Sequence, residues 1–201
     1  MGAYAPDGVS VLTFTNLMGL LKLQLTGSGE SVKEIKVASM TANEISGGTM
    51  VSCSSEGVYI DPYGSRAEDR YLTLGFESPV ALGATPEEFL IAIPLGTHNL
   101  SLSITTTDGN SDKTYYKNTT GTTLVENTIL KMPNLNLPDD VIVPTENSYI
   151  ENGLYFGEGV SITMGSKTVV FAPVNCGYHP VDYPVGKLYQ WGRVDGSGYN
   201  D

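Results

Sequence analysis

The chain has 201 residues, of which 22 are acidic and 11 are lysine or arginine, so its net charge is −11. A surface that binds nucleic acid needs clustered lysine and arginine, and the sequence has no such cluster, which excludes nucleic acid as a partner. Charged residues make up only 16% of the chain and 23 residues are glycine, a composition typical of a β protein with many turns. A β domain of about 140 residues can bury enough apolar surface to fold without a metal or a disulfide.

The first third of the chain predicts short strands separated by turns. Strands are expected over residues 9–15, over 21–25, where leucines alternate with polar residues, and over 32–37, where apolar and charged residues alternate. The last two are predicted to pair as a hairpin whose charged face protects an edge. A weak strand is expected over 50–53, followed by a long surface loop over 57–70.

No targeting or membrane-spanning segment is recognisable near the start of the sequence. A basic start and a long apolar core, the marks of a signal peptide, are missing. The most apolar early run, 17–25, is too short to span a bilayer and contains Lys22 and Gln24. Two interpretations stay open: a cytoplasmic protein, or a mature or trimmed chain whose signal has been removed.

The centre of the chain predicts two consecutive strands. Residues 89–93 form a continuous apolar run that ends at Pro94, which is typical of a strand buried on both faces. After a predicted turn over 95–98, apolar and polar residues alternate over 100–104, which indicates one buried and one exposed face.

This pair of strands gives the most specific structural prediction. We expect Phe89, Ile91 and Ile93 to face inward on a central strand that pairs antiparallel with residues 100–104. Another strand is expected over 72–76, where apolar residues also alternate.

The fold class follows from the number of strands. Closing strands are expected over 114–117 and 122–132, so residues 1–132 are predicted to form an all-β, antiparallel β-sandwich. Residues 133–152 are rich in proline and read as a linker, with one edge strand over 141–143.

The last segment, residues 153–201, is dense in aromatic residues. A β-hairpin is expected within it, with strands over 160–164 and 167–171. About 50 residues make a poor core on their own, so the segment either packs on the first domain or belongs to a larger domain that this chain leaves incomplete.

Five residues are candidates for a binding or cross-linking role. Tyr183, Tyr189 and Trp191 could stack on sugar rings, with the filling of a core as the alternative. The spacing of Cys53 and Cys176 excludes a CxxC metal or redox motif. These two cysteines either form one disulfide or remain separate buried thiols.

Motifs for catalysis, cofactors and metals are missing from the sequence. There is no nucleophile elbow and no complete glycine-rich dinucleotide fingerprint. His98 and His179 are expected to be exposed or locally bonded rather than metal ligands or bases. Residues 108–112 are expected to form a tight turn rather than a calcium loop. We therefore predict a protein without enzyme activity, cofactor or metal.

Three blocks, in this order, resemble the fimbrillin-like family of surface pilins found in Bacteroides-type bacteria. They are residues 12–27 (LTFTNLMGLLKLQLTG), 89–94 (FLIAIP) leading to 100–109 (LSLSITTTDG), and 125–137 (VENTILKMPNLNL). The resemblance implies a transthyretin-like β-sandwich and a lipoprotein exported to the outer membrane. It further implies that fimbrial subunits join by strand addition. The signal and lipidation site of that family are absent here, so we expect them to have been removed.

The end of the chain resembles a different module. Residues 170–178 (VFAPVNCGY) and 183–193 (YPVGKLYQWGR) are similar to the opening of a surface domain distantly related to C-type-lectin-like and formylglycine-generating-enzyme-like folds. The resemblance implies a structural or adhesive fimbrial subunit, such as a tip adhesin, that binds a host or bacterial glycan or protein. The alternative function is a carbohydrate-binding surface lipoprotein outside any pilus. An enzyme is disfavoured because the active part of such a domain would lie beyond this chain.

Overall fold

A computed structural model describes residues 1–5, 12–41, 44–47, 50–61, 70–151, 153–176, 178 and 184–186. The chain forms two compact units, Met1–Val143 and Pro144–Asp201. The described residues form strands and no α-helix, which confirms the predicted all-β class. Accordingly, no helix among them is long and apolar enough to cross a membrane.

The strands are mostly short. Fourteen lie within the described residues: β1 (Met18–Thr26), β2 (Ser31–Ser39), β3 (Met50–Ser54), β4 (Gly57–Asp61), β5 (Tyr71–Ala81), β6 (Glu87–Pro94), β7 (Gly96–Thr107), β8 (Asp112–Leu124), β9 (Ile129–Lys131), β10 (Leu135–Asn136), β11 (Ser148–Glu151), β12 (Leu154–Glu158), β13 (Val160–Met164) and β14 (Lys167–Phe171). The first ten belong to the first unit and the last four to the second.

The first sheet is built around β1. The three leucines of its LKLQL run are fully buried, as the alternation of this run predicts. On one side β6 pairs with β1 antiparallel, from Met18 opposite Pro94 to Leu25 opposite Glu87. On the other side the short strands β9 and β10 pair with β1 in parallel.

The second sheet has the antiparallel order β5–β2–β7–β8. Its central strand β7 turns Leu100, Leu102 and Ile104 towards the core, as predicted. Ser101 and Ser103 on the opposite face of β7 are buried as well. Thus β7, and not the apolar run of β6, is the strand with both faces buried.

Both sheets contribute to one hydrophobic core, which confirms the predicted sandwich-like fold. Because alternate residues of each strand point to one face, the inner faces of the two sheets bury their apolar side chains against each other. The buried members of this core are Leu21, Leu23, Leu25, Val32, Ile35, Val37, Ile45, Leu82, Phe89, Ile91, Ile93, Leu100, Leu102, Ile104, Tyr115, Leu124, Leu135 and Leu137.

The predicted pairing of residues 89–93 with 100–104 is wrong. Strand β6 lies at an edge of the first sheet, whereas β7 lies in the second sheet. A single residue, Leu95, separates these strands. Gly96 has a φ of 126°, a conformation that favours glycine, and there the chain passes from one sheet to the other instead of folding back as a hairpin.

The side chains of β6 follow the prediction on one face only. Phe89, Ile91 and Ile93 are buried and face inward, as expected. Leu90 is 52% exposed and Ala92 is also exposed. The apolar run is therefore not buried on both faces, because the outer face of β6 is open to solvent.

Three differences concern the first third of the chain. Strands β1 and β2 do not form the predicted hairpin, because they lie in different sheets. Residues 12–14 form no strand and only Thr15 makes a bridge, to Gly2, while 9–11 lie outside the described residues. The predicted loop over 57–70 contains β4, which pairs with β3, and ends at the buried Arg70.

The predicted linker over 133–152 begins too early. Leu135 and Leu137 are buried in the core of the first unit, and β10 pairs with β1. Ile142 makes an isolated bridge to Tyr116 rather than an edge strand. These leucines alternate within the proline-rich stretch, so burial of their side chains extends the first unit to Val143.

The second unit contains two hairpins, β11–β12 and β13–β14. The predicted strands over 160–164 and 167–171 are confirmed, and Gly165 in their turn has a φ of 63°. Leu154 is fully buried. Phe156 packs on Tyr178 with ring centroids 5.3 Å apart, so part of the aromatic content packs within this unit.

Candidate functional site

Strand β6 offers an open edge, defined here as its side away from β1 and called the β6 edge. The backbone N–H of Leu95, just after β6, donates to the carbonyl of Leu17 at 3.1 Å. Because backbone groups point alternately to the two sides of a strand, those of Leu90 and Ala92 point away from β1. No strand in the described part of the chain pairs with them.

The two ends of the β6 edge carry features that limit unspecific pairing. Pro94 has no backbone N–H to donate. At the other end, the Lys22 ammonium lies 2.6 Å from the Glu88 carboxylate, and the Gln24 amide donates to the same carboxylate at 3.0 Å. The hydrogen bond from Lys22 is the main cause that holds the pKa of Glu88 below its ordinary value. Charges and prolines of this kind are usual at exposed sheet edges.

Above the β6 edge, the second sheet ends with its own edge strand, β5. The ring of Phe76 on β5 packs on Phe89 of β6, with centroids 5.5 Å apart. Leu72, Leu74 and Phe76 face the core but are only partly buried, unlike the fully buried inner residues of β2 and β7. One more strand beside β6 would lie under β5 and cover these side chains.

The arrangement can bind an extended peptide segment. Outward-facing backbone groups supply main-chain hydrogen bonds, and the spaces beside the edge can receive alternate side chains of the added strand. No three His, Cys, Asp or Glu side chains of the described residues come together as a metal site needs.

A separate polar cluster surrounds Glu30, in the turn between β1 and β2. Its Oε1 accepts hydrogen bonds from the Tyr115 hydroxyl at 2.6 Å and the Lys113 ammonium at 3.3 Å, and its Oε2 accepts one from the Thr106 hydroxyl at 2.9 Å. Burial alone would raise the pKa of Glu30, but these hydrogen bonds and the Lys113 charge hold that pKa below its ordinary value. Burial and the bond to Glu30 raise the pKa of Tyr115 to about 12. Both carboxylate oxygens are engaged by the chain itself, so we interpret the cluster as structural.

The structure places His98 in β7, where it is only 2% exposed. Its Nε2 donates to the carbonyl oxygen of Pro94 at 2.9 Å. Of the two states expected for His98, exposed or locally bonded, the structure shows the locally bonded one. The bond ties the end of β6 to β7 across the Leu95–Gly96 turn. His179 lies outside the described residues.

The predicted turn after β7 is confirmed. Oδ1 of Asp108 accepts hydrogen bonds from the backbone N–H groups of Asn110 and Ser111, both at 2.8 Å. Gly109 has a φ of 90°. The bonds from Ser111 and Asn110 hold the pKa of Asp108 below its ordinary value.

The candidate ligand-binding and cross-linking residues are not brought together into a described site. Tyr183, Tyr189 and Trp191 lie outside the described residues, so carbohydrate binding stays a prediction. Cys53 and Cys176 are exposed thiols. The interpretation of buried thiols is therefore wrong, because β3 presents Cys53 to solvent. The two cysteines belong to different units, and their pairing stays a prediction.

Prolines mark the edge strands β5 and β6 in the sequence itself. Pro79 lies within β5 and Pro94 ends β6, and proline is confined to edge strands, strand ends and bulges. Only Leu95 separates β6 from Gly96, the first residue of β7. So short a connection also indicates that the chain crosses from one sheet to the other and does not form a hairpin.

Comparison with known proteins adds no relative. No family model, no curated protein and no solved structure matches the chain. The resemblance to fimbrillin-like pilins therefore stays a prediction, and function has to be argued from the residues and the fold.

Proposed function

We propose that the chain is a structural or adhesive subunit of a bacterial cell-surface fimbria, and that a neighbouring subunit adds a strand to the β6 edge. The observation that carries the proposal is the open β6 edge beside the partly buried inner face of β5. The three sequence blocks support it, because the family they resemble joins subunits by strand donation. The second block, residues 89–94, is expected on a central strand, but β6 lies at an edge of the first sheet. The proposal therefore depends on the open β6 edge more than on this block.

Strand addition at this place has two favourable contributions. Backbone hydrogen bonds to Leu90 and Ala92 contribute about 0.5–1.5 kcal/mol each. Covering Leu72, Leu74 and Phe76 adds about 25 cal/mol for each Å² of apolar surface removed from water. The backbone term is independent of sequence, so the side chains of the added strand determine which partner binds.

Ala92→Pro tests strand addition with little expected effect on the fold. The substitution removes an outward N–H from the β6 edge and leaves the hydrogen bonds to β1 in place. Ala92→Ser is the matched control, since it changes the same exposed side chain and keeps the N–H. We expect cells producing Ala92→Ser to display filaments and those producing Ala92→Pro to contain folded but unassembled subunit. Filaments of normal length from Ala92→Pro would exclude the β6 edge as the joining surface.

Localisation gives an independent test of the fimbrial role. The proposal places the full-length protein at the cell surface, in the outer membrane or in fimbriae, as a lipoprotein. Fractionation of native cells and immunogold labelling should find it there. Recovery of the native protein in the cytoplasm would contradict the proposal even if purified subunits associate.

A further inference from the structure

The hairpin β13–β14 of the second unit presents an uncovered apolar face. Every side chain of both strands is exposed. Because residues opposite each other in a hairpin share a face, the register of the two strands sorts these side chains into two sets. One face carries Lys167 beside the turn and five apolar side chains, Val160, Ile162, Met164, Val169 and Phe171. Contiguous exposed apolar side chains of this kind mark an interaction surface.

The opposite face of the hairpin is polar, with one exception. It carries Ser161, Thr163 and Thr168, and the hydroxyls of the two threonines lie 3.1 Å apart. Val170 is the one apolar side chain on this face. A partner that covers the hairpin therefore has to offer apolar contacts to its whole first face and to Val170 on its second face.

One side of β14 has free backbone groups. β13 pairs with β14 on the other side, and no further strand in the described part of the chain pairs with β14. The residues that flank the two-residue turn of the hairpin, Met164 and Lys167, form a hydrogen-bonded pair. Because backbone groups point alternately to the two sides of a strand, those of Thr168 and Val170 point away from β13.

These free groups match those of the β6 edge. On β6 the free backbone groups belong to Leu90 and Ala92, whose side chains lie on the exposed outer face. Antiparallel pairing can place Val170 opposite Leu90, and the same register then places Thr168 opposite Ala92. Both pairs exchange backbone hydrogen bonds. Opposite residues share a face, so the Val170 side chain lies beside the exposed side chain of Leu90.

The same register turns the apolar face of the hairpin inward. Val169 and Phe171 alternate with Val170, so they point to the inner side of the sheet. β13 then lies beyond β14, and its apolar side chains face the partly buried inner residues of β5. Lys167 is at the turn, where its ammonium can reach water. A single register thus satisfies the free backbone groups and covers the apolar surface of both partners.

We propose that the strand added to the β6 edge is β14 of a second copy of this chain, in the register that places Val170 opposite Leu90. The inference rests on the proposed function and extends it, because it names the segment that joins one subunit to the next. Each copy has one β6 edge and one β14 strand. The contact is therefore head to tail, and such contacts generate a filament when they do not close into a ring.

Disulfide cross-linking between two different chains tests the contact. Cys53→Ser and Cys176→Ser remove the native thiols from both chains. One chain then carries Leu90→Cys and the other Val170→Cys. Opposite residues of a hydrogen-bonded pair have Cα atoms about 5.5 Å apart, which a disulfide can bridge. We expect a cross-linked dimer of the two chains after mild oxidation, observed on a non-reducing gel.

Ser161→Cys in place of Val170→Cys is the matched control. Ser161 is opposite Val170 on the same exposed face, but one strand further from β6. Its Cα would lie about 10 Å from that of Leu90, so cross-linking should be at least about tenfold slower, because a disulfide cannot bridge this distance without backbone movement. Equal rates for the two pairs would overturn the inference.

Val170→Pro separates the inference from the proposed function. The substitution removes an N–H that points away from β13 and leaves the hydrogen bonds within the hairpin in place. Val170→Thr keeps the N–H and is its control. We expect filaments from Val170→Thr and none from Val170→Pro. Filaments from Val170→Pro overturn the inference, and the proposed function still stands if Ala92→Pro abolishes them.

The remaining outcomes also distinguish the two proposals. A cross-link between the Leu90→Cys and Val170→Cys chains supports the contact even if the native protein is found in the cytoplasm, which contradicts the fimbrial role. A cross-link that forms only within a chain carrying both cysteines would show that β14 pairs with the β6 edge of its own chain. That result would overturn the role of a second copy.

Discussion

Replacing Glu30 by glutamine should destabilise the first unit substantially. The Glu30 side chain is 14% exposed, and of its donors Thr106 is fully buried and Tyr115 is 3% exposed. Glutamine has one acceptor oxygen for the three donors that converge on the carboxylate. Hydrogen bonds to charged groups contribute about 1.5–3 kcal/mol, and neutral ones about 0.5–1.5 kcal/mol. The expected loss in the free energy of unfolding is about 2–3 kcal/mol.

The loss should depend on pH. Folding lowers the pKa of Glu30, so its stabilising contribution is fully present above the pKa of the unfolded chain, about 4.3. The contribution disappears as the pH falls through the lower pKa of the folded state. Urea unfolding followed by circular dichroism should therefore show a large difference between wild type and Glu30→Gln at pH 7, and a small one well below pH 4.

Glu34→Gln is the control for the change of charge. Glu34 lies on the exposed face of β2, and surface substitutions of this kind usually change stability by less than about 0.5 kcal/mol. If Glu30→Gln is as stable as Glu34→Gln at pH 7, the hydrogen bonds around Glu30 do not stabilise the fold. A loss of equal size at pH 7 and pH 3 would show that the charge of Glu30 is not its cause.

Three further measurements test the burial of single residues. Leu23→Ala should lower the free energy of unfolding by about 2–5 kcal/mol because Leu23 is fully buried in β1, whereas Leu90→Ala on the exposed face of β6 should cost less than about 0.5 kcal/mol; equal losses would contradict these positions. Tyr115→Phe should leave the tyrosinate absorbance between pH 8 and 11 unchanged, since the pKa of Tyr115 is raised to about 12. Native protein should react with a thiol reagent at Cys53, which β3 exposes, and no reaction at Cys53 would indicate a disulfide.

The strands of the sandwich could be predicted where a local pattern decides them. The alternation in β1, β2 and β7 places their inward residues correctly, because the period of two is a property of the strand itself. The turn at Asp108 is likewise local, since its side chain bonds backbone groups within three residues. Pairing between strands could not be predicted in the same way, because an apolar face does not specify which strand lies beside it.

At the candidate site, too, the local pattern of a strand could be predicted and its pairing could not. Phe89, Ile91 and Ile93 face inward as predicted, yet the partner of their strand is β1 and not the next strand in sequence. Burial of Ser101 in β7 and exposure of Leu90 in β6 both depend on tertiary neighbours rather than on residue type. Open edges are defined by the strands that do not lie beside them, so they become visible only after the whole topology is known.

Amide hydrogen exchange at the β6 edge tests strand addition most directly. In the isolated chain the amides of Leu90 and Ala92 point away from β1 and should exchange rapidly, whereas the amide of Ile91 points towards β1 and should be protected. In assembled fimbriae we predict protection at all three positions. Rapid exchange at Leu90 and Ala92 in the assembled state would show that no strand is added to β6.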